Sequence, residues 1–185
     1  DAHSRDRARE LLGSPDRFVL LAPTSRWAAK RWPADRFAAL AARLLENAGA
    51  SIVVVGGRDE RDQCGPLLEL AARNSRVIDL VGRTDIATLM ALIERATLVV
   101  ANDSAALHMG VGFERPCVGL FGPTRVDLVG PYRRERDVIQ RLQPGDDPNH
   151  KRDANAAMMA RITVDEVEAA CVDRLGTSAG PVPRS

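Results

Sequence analysis

TLVVANDSAALHMG, Thr97 to Gly110, is the stretch that decides how this chain is built. It opens as a short apolar, β-branched run of the kind that prefers a sheet. It breaks at Asn102, Asp103 and Ser104, then resumes as a helix-like run from Ser104 to about Phe113 that carries His108. A strand that turns polar at its end and passes straight into a helix is one β–α unit. Either Asp103 or Ser104 can cap the free N–H groups of that helix. His108 follows Ser104 by four positions and Asp103 by five, so only Ser104 shares its helical face closely.

The same unit recurs on both sides. A first helix is expected over Arg5 to Leu12, ended by Gly13, and a buried strand over Arg17 to Pro23. From Pro33 the residues Phe37, Leu40, Ala41, Leu44, Leu45 and Ala48 keep helical spacing, with Pro33 suited to the first helical position and Gly49 to the residue after the cap. Ser51 to Gly57 reads as a second strand, with a helix somewhere in Asp59 to Arg73 and a third strand at Val77 to Leu80. Thr84 is expected to cap a helix that turns Ile86, Leu89, Met90 and Ile93 to the core. Thr97 to Ala101 is the fourth strand, Pro116 to Phe121 the fifth, and Asp137 to Gln140 a short sixth. Leu142 to Ala156 is polar and contains proline, hence a loop. Thr163 with Glu166 forms a capping box that starts a last helix ending at Gly176. The tail TSAGPVPRS is read as disordered.

Alternating strands and helices, with strands apolar throughout, define an α/β class: a doubly wound parallel sheet, Rossmann-like, covered on both faces. One domain over residues 1–176 accounts for the whole pattern. The opening DAHSRDRARELLG, with neither Met nor strand, reads as the start of a piece cut at a linker. The 185 residues carry 26 basic and 25 acidic side chains, a net charge of +1. The basic residues are dispersed, so no nucleic-acid footprint is present. Cys64, Cys117 and Cys171 are odd in number and widely spaced, which suggests neither a disulfide framework nor a zinc site. No apolar run approaches a membrane span, and no signal peptide is seen. A cytoplasmic protein fits these features.

In doubly wound sheets, ligands bind beyond the carboxyl ends of the strands. After the first strand, APTSRWAAKRWP (Ala22 to Pro33) offers the hydroxyls of Thr24 and Ser25, with Lys30 just before a helix start. Free N–H groups, a positive dipole end and an ammonium make an anion site; an exposed surface lysine is the bland alternative. After the second strand, Gly56 and Gly57 precede Asp59 and Glu60, either of which can accept from ribose hydroxyls or simply favour a helix N-terminus. After the third comes V-G-R-T with Gly82 and Thr84, and after the fifth F-G-P-T with Gly122 and Thr124. Polar turns at nearly every strand end describe one crevice for a polar, phosphate-bearing ligand. G-x-G-x-x-G after the first strand, a P-loop and a G-x-S-x-G elbow are all absent. So is a D-x-D that would clamp a divalent cation to a diphosphate.

K-R-W-P at Lys30 to Pro33, N-D-S-x-x-x-H at Asn102 to His108 and F-G-P-T at Phe121 to Thr124, in that order, resemble glycosyltransferase family nine, which contains the ADP-heptose:lipopolysaccharide heptosyltransferases. The resemblance runs from about Arg5 to Leu175. It implies the C-terminal, donor-binding half of a GT-B fold, with the N-terminal acceptor domain outside this chain. It also implies an inverting, metal-independent transfer from a nucleotide-diphosphate sugar such as ADP-heptose to a lipid-linked saccharide acceptor, without a cofactor. In that scheme Lys30 holds the leaving diphosphate beside Thr24 and Ser25, and Asp59 lies near the ribose with Glu60 one register away. Gly82 to Thr84 border the base. Asp103 accepts from sugar hydroxyls, and the backbone N–H groups of Ser104 and Ala105 meet phosphate. His108 supports that loop or approaches the donor. The general base belongs to the other domain, and the full enzyme touches the inner membrane peripherally. Two departures stand out: Ala105 replaces a usual glycine, and Leu142 to Met159 lacks the paired cysteines many relatives carry. The alternative is a nucleotide-sugar-binding module without transferase activity.

Overall fold

A strand buried on both faces needs a helical layer on each side. The computed structural model, which describes residues 2–13, 15 and 17–177, provides both. Its elements run α1 (Ala2–Leu12), β1 (Phe18–Ala22), α2 (Ala34–Asn47), β2 (Ser51–Val54), α3 (Gly65–Arg73), β3 (Val77–Asp79), α4 (Ile86–Arg95), β4 (Leu98–Asn102), α5 (Ala105–Gly112), β5 (Cys117–Phe121), the single turn α6 (Val126–Val129), β6 (Val138–Gln140) and α7 (Val164–Thr177). All five pairings are parallel, and the spatial order is β3-β2-β1-β4-β5-β6.

Period-two alternation in β1 sends its residues into two separate cores. Val19 and Leu21 join Phe37, Leu40 and Leu44 of α2, Leu67 of α3 and Val167 and Cys171 of α7. Phe18, Leu20 and Ala22 join Ala8 and Leu12 of α1, Leu92 and Ile93 of α4 and Leu107 of α5. The first core closes on Trp32, only 1% exposed, whose ring meets Phe37 edge-on at 4.9 Å. The sheet order reverses between β1 and β4, where Ala22 stands opposite Ala101. At that reversal α2 leaves toward one face and α5 toward the other. The loops after β1 and β4 therefore splay apart and open a crevice.

Most expected elements are present within a residue or two of their ends, and the differences have local causes. α1 starts at Ala2 rather than Arg5. Pro33 caps α2 from outside, with φ −52° and ψ 133°, and does not occupy its first helical position. Gly49 takes the left-handed conformation expected after the cap. Asp85, not Thr84, caps α4: its carboxylate accepts from Thr88 N at 2.7 Å. That cap turns Thr88, Ala91, Leu92 and Ile93 inward and leaves Ile86 70% exposed and Met90 39% exposed. Ser104 takes the cap position of α5, but neither it nor Asp103 makes a side-chain capping bond there. The segment expected to be a loop to Ala156 becomes 3-10 helix from Asp153 to Arg161, and another 3-10 run, Arg58–Cys64, leads into α3. The capping box of α7 is formed, with Thr163 N donating to Glu166 Oε2 at 2.8 Å and Glu166 N to Thr163 Oγ at 3.3 Å. Of the tail expected to be disordered, residues 178–185 lie outside the described residues. No helix among the described residues is long and apolar enough to cross a membrane.

The three thiols are all buried. Burial pushes Cys64 up to about 11 and Cys117 and Cys171 up to about 12. A thiol held neutral is a poor nucleophile. Native protein at about pH 8 should therefore leave all three unreacted with an aromatic disulfide reagent, whereas protein in denaturant should release three equivalents. Fast native labelling of any one of them would show that its layer opens.

Candidate functional site

Asn102 ends β4 fully buried, and its side chain spans the sheet reversal. Its Nδ2 donates to the carbonyl of Pro23 at 2.6 Å, and its Oδ1 accepts from Trp32 N at 3.1 Å. Both ends of the loop after β1 are thus tied to the end of β4. Within that loop Arg31 donates from Nε to Ser25 O at 2.8 Å and from Nη2 to Arg26 O at 3.2 Å. Trp32 anchors the far end through Nε1, which donates to Ile162 O at 2.9 Å. In K-R-W-P, then, Arg31 ties the loop to itself, Trp32 roots it in the core and Pro33 starts α2. Lys30 is left to face the crevice from a single 3-10 turn, Ala28–Lys30.

The crevice has a volume of about 430 Å³. Thr24, Ser25, Lys30, Glu60, Thr84, Asp103, Ser104 and Ala105 line it, as do Arg26, Trp27, Asp85, Ile86 and Leu89. Lys30 Nζ lies 2.6 Å from Asp103 Oδ2, and the two side chains are only 14% and 6% exposed. The ammonium and the carboxylate compensate each other's charge in this little-exposed pair. Glu60 reaches back with one oxygen, Oε2, which accepts from Thr24 Oγ1 at 2.6 Å and from Gly57 N at 2.7 Å. Ser25 N donates to Gln63 Oε1 at 3.0 Å. Ser104 Oγ is buried without a hydrogen-bond partner among the described residues, at the N-terminus of α5 where backbone N–H groups are unsatisfied by the helix. An ammonium, a carboxylate, hydroxyls and a helix N-terminus therefore meet in the crevice, and Val55, Ile86, Leu89 and Ala106 add apolar surface to the same lining.

Five candidate residues do not line the crevice. Asp59 is exposed on the 3-10 run after β2, and Glu60, its neighbour, takes the inward position. Gly82 has φ +75°, and a Cβ there would lie 2.8 Å from Arg58 Cα, so it serves the turn after β3. His108 projects exposed from α5. Gly122 lies under Met159 and Ala29, whose nearest atoms would stand 2.8–2.9 Å from an added Cβ; it lets the segment before α7 close on the Lys30 turn. Thr124 is 3% exposed, and its carbonyl, like that of Gly122, accepts from Gln140 Nε2. Two further side chains near the site gave little signal in the sequence. Trp27 lines the crevice, and His150 packs on Trp27 with ring centroids 5.6 Å apart and planes at 68°. His150 lies in a polar loop with no motif around it.

A parallel six-stranded sheet in this order, with a crevice at its reversal, is a doubly wound, Rossmann-like domain. Residues 1–159 match the sequence model of Glycosyltransferase family 9 (heptosyltransferase), and the chain belongs to that family. Over 116 residues it is 33% identical to lipopolysaccharide heptosyltransferase 2 of Salmonella typhimurium, a match that covers 60% of this chain and 32% of that protein. The solved ADP-heptose lipopolysaccharide heptosyltransferase II of Escherichia coli superposes with a TM-score of 0.78 at 23% identity, covering 97% of this chain and 53% of the other. A glycosyltransferase family 9 structure from Veillonella parvula gives 0.74 at 25% identity, covering 95% and 52%. The chain thus spans about half the length of these solved relatives.

Replacing Asn102 with Ala orphans a buried N–H at Trp32 and a carbonyl at Pro23. Each such group costs roughly 1–3 kcal/mol, so the variant should lose about 2–5 kcal/mol in urea unfolding. The Lys30 loop loses its tie to β4 in the same variant. Unchanged unfolding would show that the bridge is not what holds the loop.

Proposed function

We propose that this chain is the donor-binding half of an inverting, metal-independent glycosyltransferase that moves a sugar from a nucleotide diphosphate, ADP-heptose by preference, to a lipopolysaccharide-type acceptor. The observation that carries the reading is the Lys30–Asp103 pair at the sheet reversal, between two loops that both offer phosphate-binding groups. Departure of a nucleoside diphosphate from the anomeric carbon builds negative charge on the leaving phosphate. Lys30 is placed to offset that charge, assisted by the N-terminus of α5 and the hydroxyl of Ser25, while Thr24 gives its proton to Glu60. As Lys30 turns to phosphate, Asp103 is freed to accept from sugar hydroxyls. Glu60, on the wall between β1 and β2, suits the ribose diol. The apolar wall at Ile86 and Leu89 suits the face of a base. With the charge met by an ammonium and N–H groups, the scheme requires neither metal nor cofactor.

Among the described residues three carboxylates line the crevice, and all are engaged: Glu60 with Thr24 and Gly57, Asp85 with Thr88, and Asp103 with Lys30. In this scheme Asp103 and Glu60 are taken up by sugar and ribose hydroxyls and Asp85 by its cap, so the general base and the lipid-linked acceptor belong to a domain outside this chain. The roughly twofold greater length of the solved relatives supports that division. The same observation favours a second reading, a nucleotide-sugar-binding module without transferase activity. The acceptor's lipid would bring the working enzyme to the cytoplasmic face of a membrane, as a peripheral protein.

Calorimetric titration with ADP, UDP, GDP and adenosine tests the site. ADP should bind most tightly. Lys30→Ala should weaken ADP roughly 10- to 100-fold, the equivalent of a lost hydrogen bond to a charged group, with adenosine unchanged. Asp103→Asn should tighten ADP by releasing Lys30, without tightening ADP-heptose. Equal loss of ADP and adenosine in Lys30→Ala would sink the assignment of Lys30 to the diphosphate.

A further inference from the structure

The segment 141–161 is a strap packed on the turn that carries Lys30, and it is held in several places. The Arg161 guanidinium pairs with Asp146, with Nη2 3.0 Å from Oδ1. Asn155 Nδ2 donates to the carbonyls of Asp147 at 3.0 Å and Asn149 at 2.7 Å. Lys151 N donates to Asn149 Oδ1 at 3.0 Å. Met159, fully buried, closes the strap against Gly122 and Ala29. His150 is therefore flanked by two tied residues, and its ring rests edge-on against Trp27, on the crevice wall. Arg26 lies over the same indole at 5.4 Å from its centroid.

The charges that act on the imidazole come from each element packed against it. Lys30 is on the turn after β1 and Asp103 on the loop after β4, with Lys151 beside the imidazole on the strap. Burial first, then Lys30, holds its pKa below the usual histidine value, while Asp103 opposes them. The crevice pairs one buried cation with one buried carboxylate, Lys30 with Asp103, and so offers a diphosphate no net charge from them. An arriving diphosphate would reverse the balance at the ring. It draws Lys30 away and adds negative charge, and both effects favour the imidazolium.

We propose that His150 is a second, proton-switched cation of the donor site: neutral before the nucleotide sugar binds, it takes a proton from solvent on binding and donates N–H to the diphosphate. The proton returns to solvent when the diphosphate leaves. This inference rests on the donor-site reading above. It adds a group from the strap, which lies outside the motifs at the strand ends. Trp27, itself on the crevice lining, positions the ring, and the strap's ties hold the residues on either side of it.

The test uses the whole 185-residue chain and ADP-ribose, a diphosphate diester with no proton of its own to exchange near neutrality. Titrations in buffers of different ionisation enthalpy should show proton uptake on binding, and affinity should rise as pH falls from about 8 to about 6, at most about tenfold per unit for one linked proton. His150→Gln should abolish the uptake and flatten the pH profile while matching wild type at the alkaline end, and adenosine should bind without uptake to either protein. Undiminished uptake in His150→Gln, or none in wild type, overturns the switch alone when ADP-ribose binding still depends on Lys30. Equal weakening of His150→Gln at every pH also overturns it, since that would show a merely structural ring. Failure of both ADP-ribose and ADP to bind overturns the switch together with the donor-site reading.

Discussion

One amide holds the site together. Asn102 ends β4 where the sheet order reverses, and its side chain offers a donor and an acceptor in opposite directions. Pro23 and Trp32, the two ends of the loop after β1, take one each. No residue of similar size but single polarity could satisfy both groups. A carboxylate would face the Pro23 carbonyl without a proton to give, and an aliphatic chain would leave both backbone groups buried and unpaired. The position of Lys30 depends on this bridge, because the loop between its anchors is short and otherwise held by Arg31 folding back on its own carbonyls. The Lys30–Asp103 part of the crevice is thus built from the loops after β1 and β4 jointly, which is where a doubly wound sheet leaves room for a ligand.

The electrostatics of that side follow from burial. An ammonium and a carboxylate this little exposed must compensate each other, since either one left alone would be expensive. In the proposed donor scheme the pair makes binding an exchange of partners, in which phosphate would replace Asp103 at Lys30. Ligand affinity is then set by a difference between two strong interactions. That difference is the quantity neighbouring groups such as the His150 imidazole can tune. The Glu60 carboxylate is held by Thr24 and Gly57 through one oxygen, and its second oxygen, without a side-chain partner among the described residues, adds an acceptor to the crevice.

The motifs at strand ends were legible because each is local: an apolar run, a break, then a capped helix. Thr24, Ser25, Lys30, Thr84, Asp103 and Ser104 could be placed at one crevice from their positions after strands alone, and Ala105 through the family resemblance. Choices between neighbours were not legible. Asp59 and Glu60 have the same chemistry in sequence, and only the turn of the 3-10 run after β2 directs Glu60 inward. Thr84 and Asp85 can both cap α4. The carboxylate prevails by accepting from Thr88 N, and the helix face shifts with it, so that Ile86 moves from expected core to crevice wall. His108 shares a helical face with Ser104 but points to solvent, since α5 buries Ala106, Leu107 and Gly110 instead.

By itself the sequence determined the alternation of strands and helices, the two-sided burial of the strands and the polar character of their carboxyl ends, because these depend on residues a few positions apart. Tertiary structure alone decided the order of the strands, the pairing of Lys30 with Asp103, the two hydrogen bonds of the Asn102 amide and the seating of His150 on Trp27. Each of those joins groups from distant parts of the chain. Their distances are set by how the helices pack on the sheet, and no local pattern of residues carries that information.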